Sequence, residues 1–135
     1  MPEPFLDTNV FLRHLLGDDP KQSPRATGFF QRVERNELRA RTSEIVVFEV
    51  VFTLQRRLRL SKEAIRDSVL PLLELPGLIL PRKRRFSDVF DLYVDHNIAF
   101  ADAYHAVLMK QAGLTEIVSF DREFDRLPGI RRIEP

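Results

Sequence analysis

Short apolar segments of strand length alternate with amphipathic helical stretches along this chain, and that alternation most constrains its fold. Residues 4–7, 38–42, 78–80, 116–120 and 130–133 read as strands, with helical patterns between them. Such an alternation calls for a mainly parallel sheet covered on both faces. The expected fold class is α/β: a three-layer α/β/α arrangement with a central, mainly parallel sheet of four to five strands. At 135 residues the chain is long enough for one domain with its own core, so a single domain over 1–135 is expected.

The helices announce their boundaries. A first helix is expected over 10–16. Asp19 reads as an N-cap with Pro20 at the first helical position. Ala26, Phe29, Phe30 and Val33 then recur on one helical face. Ser43 is a good N-cap for 44–58, with Glu44 complementing the helix dipole. This segment is rich in β-branched residues and competes as a strand, but its length favours a helix. Ser61 caps another helix, with Ile65, Val69, Leu72 and Leu73 inward, Pro71 kinking it and Pro76-Gly77 ending it. In the next, Phe86, Phe90, Tyr93, Val94 and Asn97 line one side, and Asp88, Asp91 and Asp95 face solvent. A last helix over 101–111 ends at Gly113, a natural C′ residue.

Four carboxylates stand in apolar or strand-end contexts: Asp7, Glu49, Asp102 and Asp121. An isolated buried carboxylate costs several kcal/mol, so such a set asks for a cation to gather around. Each acid also has a plainer reading. Asp7, Asp102 and Asp121 could cap the helices or turns beside them. Glu49 could snorkel or pair with Arg56. Asp7 and Asp121 both end strands, where sites in open α/β sheets lie. If the first and fourth strands are neighbours, these two acids converge there.

Oxygen-only, carboxylate-rich donors suit Mg²⁺, with Mn²⁺ as the close alternative. His14, His96 and His105 form no metal-binding pair at HxH or HxxxH spacing, which disfavours zinc; a packed or surface role suits His105 better than ligation. A carboxylate-held divalent ion is suited to phosphodiester hydrolysis, since it lowers the pKa of bound water and neutralises transition-state charge. Without metal, mutual repulsion should raise the pKa of at least one acid.

Net charge is only +1, so no overall field marks a nucleic-acid binder. Two basic clusters are nevertheless compact. One is Arg82-Lys83-Arg84-Arg85, which follows a strand end and is a candidate RNA-binding run; the other is Arg56, Arg57 and Arg59. A solvated surface is their plain reading; facing the acids, they would hold a polyanion. The absence of cysteine excludes disulfides, thiolate nucleophiles and the usual structural zinc. No apolar stretch approaches the ~18 residues of a membrane span, and Asp7 and Arg13 interrupt any leader-like start. A cytoplasmic protein is expected.

In this order and these contexts, the four acids resemble those of the PIN-domain ribonucleases, and most closely of the VapC-type toxins of type II toxin–antitoxin systems. Phe5-Leu6-Asp7-Thr8-Asn9-Val10 is similar to the family's first motif, and Val47-Phe48-Glu49-Val50 to its second. Phe100-Ala101-Asp102-Ala103-Tyr104-His105-Ala106 is similar to the third, and Val118-Ser119-Phe120-Asp121-Arg122-Glu123-Phe124-Asp125 to the fourth. The resemblance implies Mg²⁺-dependent endonucleolytic cleavage of RNA, leaving 5′-phosphate and 3′-hydroxyl ends. It implies Asp7, Glu49, Asp102 and Asp121 as catalytic, metal-binding acids, with Asn9 and Ser119 as supporting polar residues. It also implies a homodimer and a small cognate antitoxin protein as partner.

Rival chemistries fit poorly. A haloacid-dehalogenase phosphatase wants an acid two residues after Asp7, where this chain has Asn9, and no glycine spacing marks a nucleotide-binding loop. The serious alternative is a non-catalytic protein of the same fold that only holds RNA or a partner.

Overall fold

The computed structural model describes residues 2–135, which fall into two compact units, one running to Lys83 and one from Arg84 to Pro135. The first unit contains α1 (Thr8–Leu16), α2 (Gln22–Glu34), β1 (Ala40–Arg41), α3 (Glu44–Arg57), α4 (Lys62–Leu73) and β2 (Leu78–Ile79). β1 and β2 pair in parallel, Ala40 opposite Leu78 and Arg41 opposite Ile79, and Phe5 adds a parallel bridge to Arg41. The buried Thr42 hydroxyl donates to the Leu6 carbonyl at 2.9 Å, fixing the segment that leads into Asp7.

Local signals set these boundaries. Asp19 accepts from the amides of Lys21 and Gln22 at 2.9 and 2.6 Å, but α2 begins at Gln22 with Lys21 at its N-cap, two residues later than the expected Asp19 cap and Pro20 start. Those two bonds hold its carboxyl below the usual range. Ser43 accepts from the Val46 amide and Ser61 from the Ala64 amide. The contested 44–58 segment is therefore a capped helix, with Val46, Val47, Val50, Val51 and Leu54 buried. On α4 the four expected inward residues are all buried. Gly77 is required by contact: a Cβ there would lie 2.2 Å from the Leu38 carbonyl oxygen and 2.7 Å from that of Val33.

The second unit contains α5 (Arg85–Asp95), α6 (Phe100–Ala112), β3 (Glu116–Val118), a 3-10 helix (Arg122–Arg126) and β4 (Arg131–Ile133). β3 and β4 are parallel, in register from Glu116–Arg131 to Val118–Ile133. Its core is aromatic: Phe100 lies 4.9 Å from Phe90 and 5.4 Å, edge-on, from Tyr93. Burial pushes the Tyr93 phenol up to about 12. Gly113 ends α6 at φ +73°, as its type predicts.

The α/β class and the parallel pairing are as expected. All five extended segments fall where the sequence places them, although the ladders hold only two or three residues each. Asn97 departs from expectation. It is exposed at φ +50°, a left-handed position after α5 that Asn tolerates well, so it turns the chain rather than packs.

Candidate metal centre

Asp102, Asp121 and Glu123 each offer a carboxylate oxygen within 4.8 Å of the others. Asp102 lies in the first turn of α6, after Ala99 at the N-cap. Asp121 stands just before the 3-10 helix, and Glu123 lies within it. The loop is fixed from several sides. The Asp121 amide donates to Ser119 Oγ at 2.9 Å, and Asp121 Oδ1 accepts from the Glu123 amide at 2.9 Å. Glu123 Oε2 accepts from the Ala99 amide at 3.1 Å. The positive end of the α6 dipole favours negative charge at this place.

Asp102 is pushed up to about 6. Partial burial is the main cause, followed by the charge of Asp121, a hydrogen bond between their carboxyl groups, and Glu123. The mutual repulsion anticipated from the sequence is thus present, second to burial. Three carboxylates this close repel one another unless a proton or a cation lies among them. The donors are all hard oxygens, the set that fits Mg²⁺ or Mn²⁺ rather than zinc.

The four acids are not the buried set that their apolar and strand-end contexts suggested. Of the four, only Asp102 is partly buried; Asp7, Glu49 and Asp121 are exposed. Glu49 is apolar-flanked in sequence only. The valines around it turn inward, whereas Ile45, Glu49, Phe52 and Arg56 share the outer face of α3, Ile45 being 69% and Phe52 60% exposed. Arg56 lies over the Phe52 ring, 5.2 Å from its centroid, and no ion pair joins it to Glu49 among the described residues.

The capping alternatives resolve differently for each residue. Asp7 occupies the N-cap of α1, but its side chain makes no capping bond. Ala99 holds the N-cap of α6, so Asp102 is not a cap. Asp121 does cap the 3-10 helix through one oxygen, while also belonging to the acidic cluster. Asp7 and Glu49 belong to the first unit.

Ser119 supports Asp121 directly. Asn9 lines a groove between α1 and α2. His105 is exposed and outside the acidic cluster, and Asp125 is paired with Arg132 at 3.1 Å. The basic run divides. Lys83 donates its ammonium to the carbonyls of Leu75 and Leu78, at 3.0 and 2.9 Å. Arg85 is buried and donates to the Tyr104 hydroxyl at 3.1 Å. Arg82 and Arg84 remain exposed.

Sequence reasoning missed Glu123, treating it as part of a turn. An acid two residues past Asp121, within a single tight turn, was the available signal.

Two comparisons bear on this geometry. A model of the family described as PIN domain matches residues 5–130. The chain is also similar to a VapC ribonuclease of Aquifex aeolicus (strain VF5). The two are 28% identical over 131 residues, which cover 97% of this chain and 96% of the relative.

Proposed function

This chain belongs to the PIN domain family, and from that premise we propose that it is a Mg²⁺-dependent endoribonuclease, the toxin of a VapBC-type pair. That family's fold is the three-layer α/β/α expected from the sequence, and the family match runs through both compact units, which supports reading them as one domain. The observation that carries the proposal is the convergence of Asp102, Asp121 and Glu123, with Asp102 held at about 6. Mutual repulsion makes such crowding costly without a cation, which supports a cation site here.

When bound, a divalent ion supplies an activated water and neutralises charge developing on the phosphodiester. The protein's part is positioning. Ser119 and the Glu123 amide hold Asp121, and the Ala99 amide holds Glu123. The proton that Asp102 keeps below about 6 must leave before its carboxylate can serve as a ligand. Asp7 and Glu49 are the further metal-binding acids in this reading, on the strength of their motifs. Exposed Arg82 and Arg84 are the members of the basic run suited to RNA phosphates.

The relative's name as a ribonuclease supports RNA as substrate. A small antitoxin and a homodimer are proposed as partners on the same likeness. Among the described residues, no helix is long and apolar enough to cross a membrane.

Incubation of the purified chain with structured RNA tests the proposal. Cleavage should require Mg²⁺ or Mn²⁺ and stop with chelator and in Asp102→Asn. Cleavage that survives chelation would overturn the metal reading. RNA binding without cleavage under any metal would favour the non-catalytic alternative.

A further inference from the structure

Outside the acidic cluster, a groove of about 580 Å³ lies between α1 and α2, within the first unit. That is the scale of a small-ligand site. Its α1 wall includes Asn9 and Arg13, on the helix that Asp7 begins; its α2 wall includes Gln22, Arg25 and Phe29. Among the described residues that line it there is no carboxylate, the nearest charge partner being Asp18 on Arg13.

The side chains divide into three kinds. Arg13 is preset: its Nη1 meets both Asp18 oxygens at 3.0 and 3.1 Å, and its Nε meets Gln22 Oε1 at 3.0 Å. Arg25 is exposed and has no ion pair among the described residues, so its charge is available. Phe29 is half-buried, held edge-on to Phe30 with centroids 6.0 Å apart. Asn9 and Gln22 add amide donors and acceptors.

We propose that this groove is a nucleotide subsite for single-stranded RNA, with Arg25 engaging a phosphate and Phe29 stacking a base. Arg13 and the two amides orient the nucleotide. Cations beside an aromatic face, with amides that can meet a base edge, are the recurring chemistry of single-strand recognition. An acidic peptide would use the arginines but would leave the ring and the amides without a purpose. The inference rests on the ribonuclease reading and deepens it, because the groove starts two residues after Asp7.

The test measures binding separately from cleavage. Asp102→Asn protein in chelator is titrated into fluorescein-labelled single-stranded oligouridylate, and anisotropy gives Kd at several salt concentrations. Arg25→Glu should weaken binding about tenfold and lower the salt slope by about 1. Phe29→Leu, which keeps the apolar packing but not the flat ring, should weaken it about fivefold. Arg35→Glu, an equal charge change at the far end of α2, is the control and should shift Kd less than about twofold. Circular dichroism melts check that each variant is folded.

The proposal is overturned if Arg25→Glu acts no more strongly than Arg35→Glu, or if Phe29→Leu leaves Kd unchanged. It is equally overturned if polyglutamate, and not oligouridylate, loses affinity in Arg25→Glu, since the groove would then serve an acidic protein segment. Should wild-type protein cleave no RNA while this binding pattern holds, the subsite stands and the nuclease reading falls.

Discussion

Glu123 makes the hydrogen bond that Asp102 would make if α6 began with a capping box. Asp102 is the third residue of α6, the position whose acid ordinarily reaches back to the N-cap amide. Here the Ala99 amide is taken by Glu123 Oε2, arriving from the 3-10 helix at 3.1 Å. The substitution frees Asp102 to face Asp121 and locks the two acid-bearing segments together.

Glu123→Gln separates these two duties. The amide oxygen can still accept from Ala99, so stability should hold within about 0.5 kcal/mol. One negative charge is removed from the cluster, and Mn²⁺ affinity measured by calorimetry should fall about tenfold or more. Glu123→Ala should in addition cost about 1 kcal/mol, through the lost hydrogen bond. Unchanged Mn²⁺ affinity in Glu123→Gln would leave Glu123 a purely structural link.

Metal-free stability should fall as pH rises through the Asp102 transition. Its carboxyl is raised in the fold from an ordinary 3.8 to about 6, chiefly by burial and then by Asp121. The folded state therefore binds the proton more tightly than the unfolded chain between these values, and stability declines with increasing pH across that window. Melting curves in chelator should show this decline. Asp102→Asn should flatten it and be at least as stable as wild type at neutral pH. Added Mn²⁺ should restore wild type but not the variant, and Mn²⁺ should bind more weakly as pH drops below about 6.

Asp7→Asn should abolish cleavage and leave the fold intact. Asp7 is exposed and makes no capping bond, so the change should alter stability by no more than about 0.5 kcal/mol. A urea melt beside a cleavage gel checks both halves. Equal loss of folding and activity would return Asp7 to a structural role.

Gly77→Ala should destabilise by about 3 kcal/mol, since the new methyl would overlap two backbone carbonyls that have little room to retreat. Denaturant unfolding gives the value. The glycine also donates to the Val33 carbonyl and accepts from the Ala40 amide, so the damage should reach the β1–β2 ladder. A shift under about 1 kcal/mol would mean that this turn is looser than its contacts indicate.

Much of the fold was legible because its signals are local. The Ser43 and Ser61 caps bond amides three residues ahead, and the Gly113 stop requires only one backbone angle. Periodicity placed Phe30, Val33, Ile65 and Val69 inside for the same reason: a helix face is set by spacing. Glu49 shows where that reading slips. Its neighbours in the chain are apolar, but burial follows the helix face, and Glu49 turns outward between valines that turn in. Lys83 and Arg85 show the same limit, since a charge run does not say which of its members fold back onto carbonyls or a phenol.

The sequence by itself determined the order of strands and helices, the Ser43, Ser61 and Gly113 caps, and Asp102 and Asp121 as acids worth placing together. Tertiary structure decided that Glu123 joins them, that Asp102 alone of the original four is partly buried, and that its proton is held tightly. The physical reason is range. A cap is closed by atoms a few residues apart, whereas a shifted carboxyl answers to charge and desolvation from segments that meet only after folding.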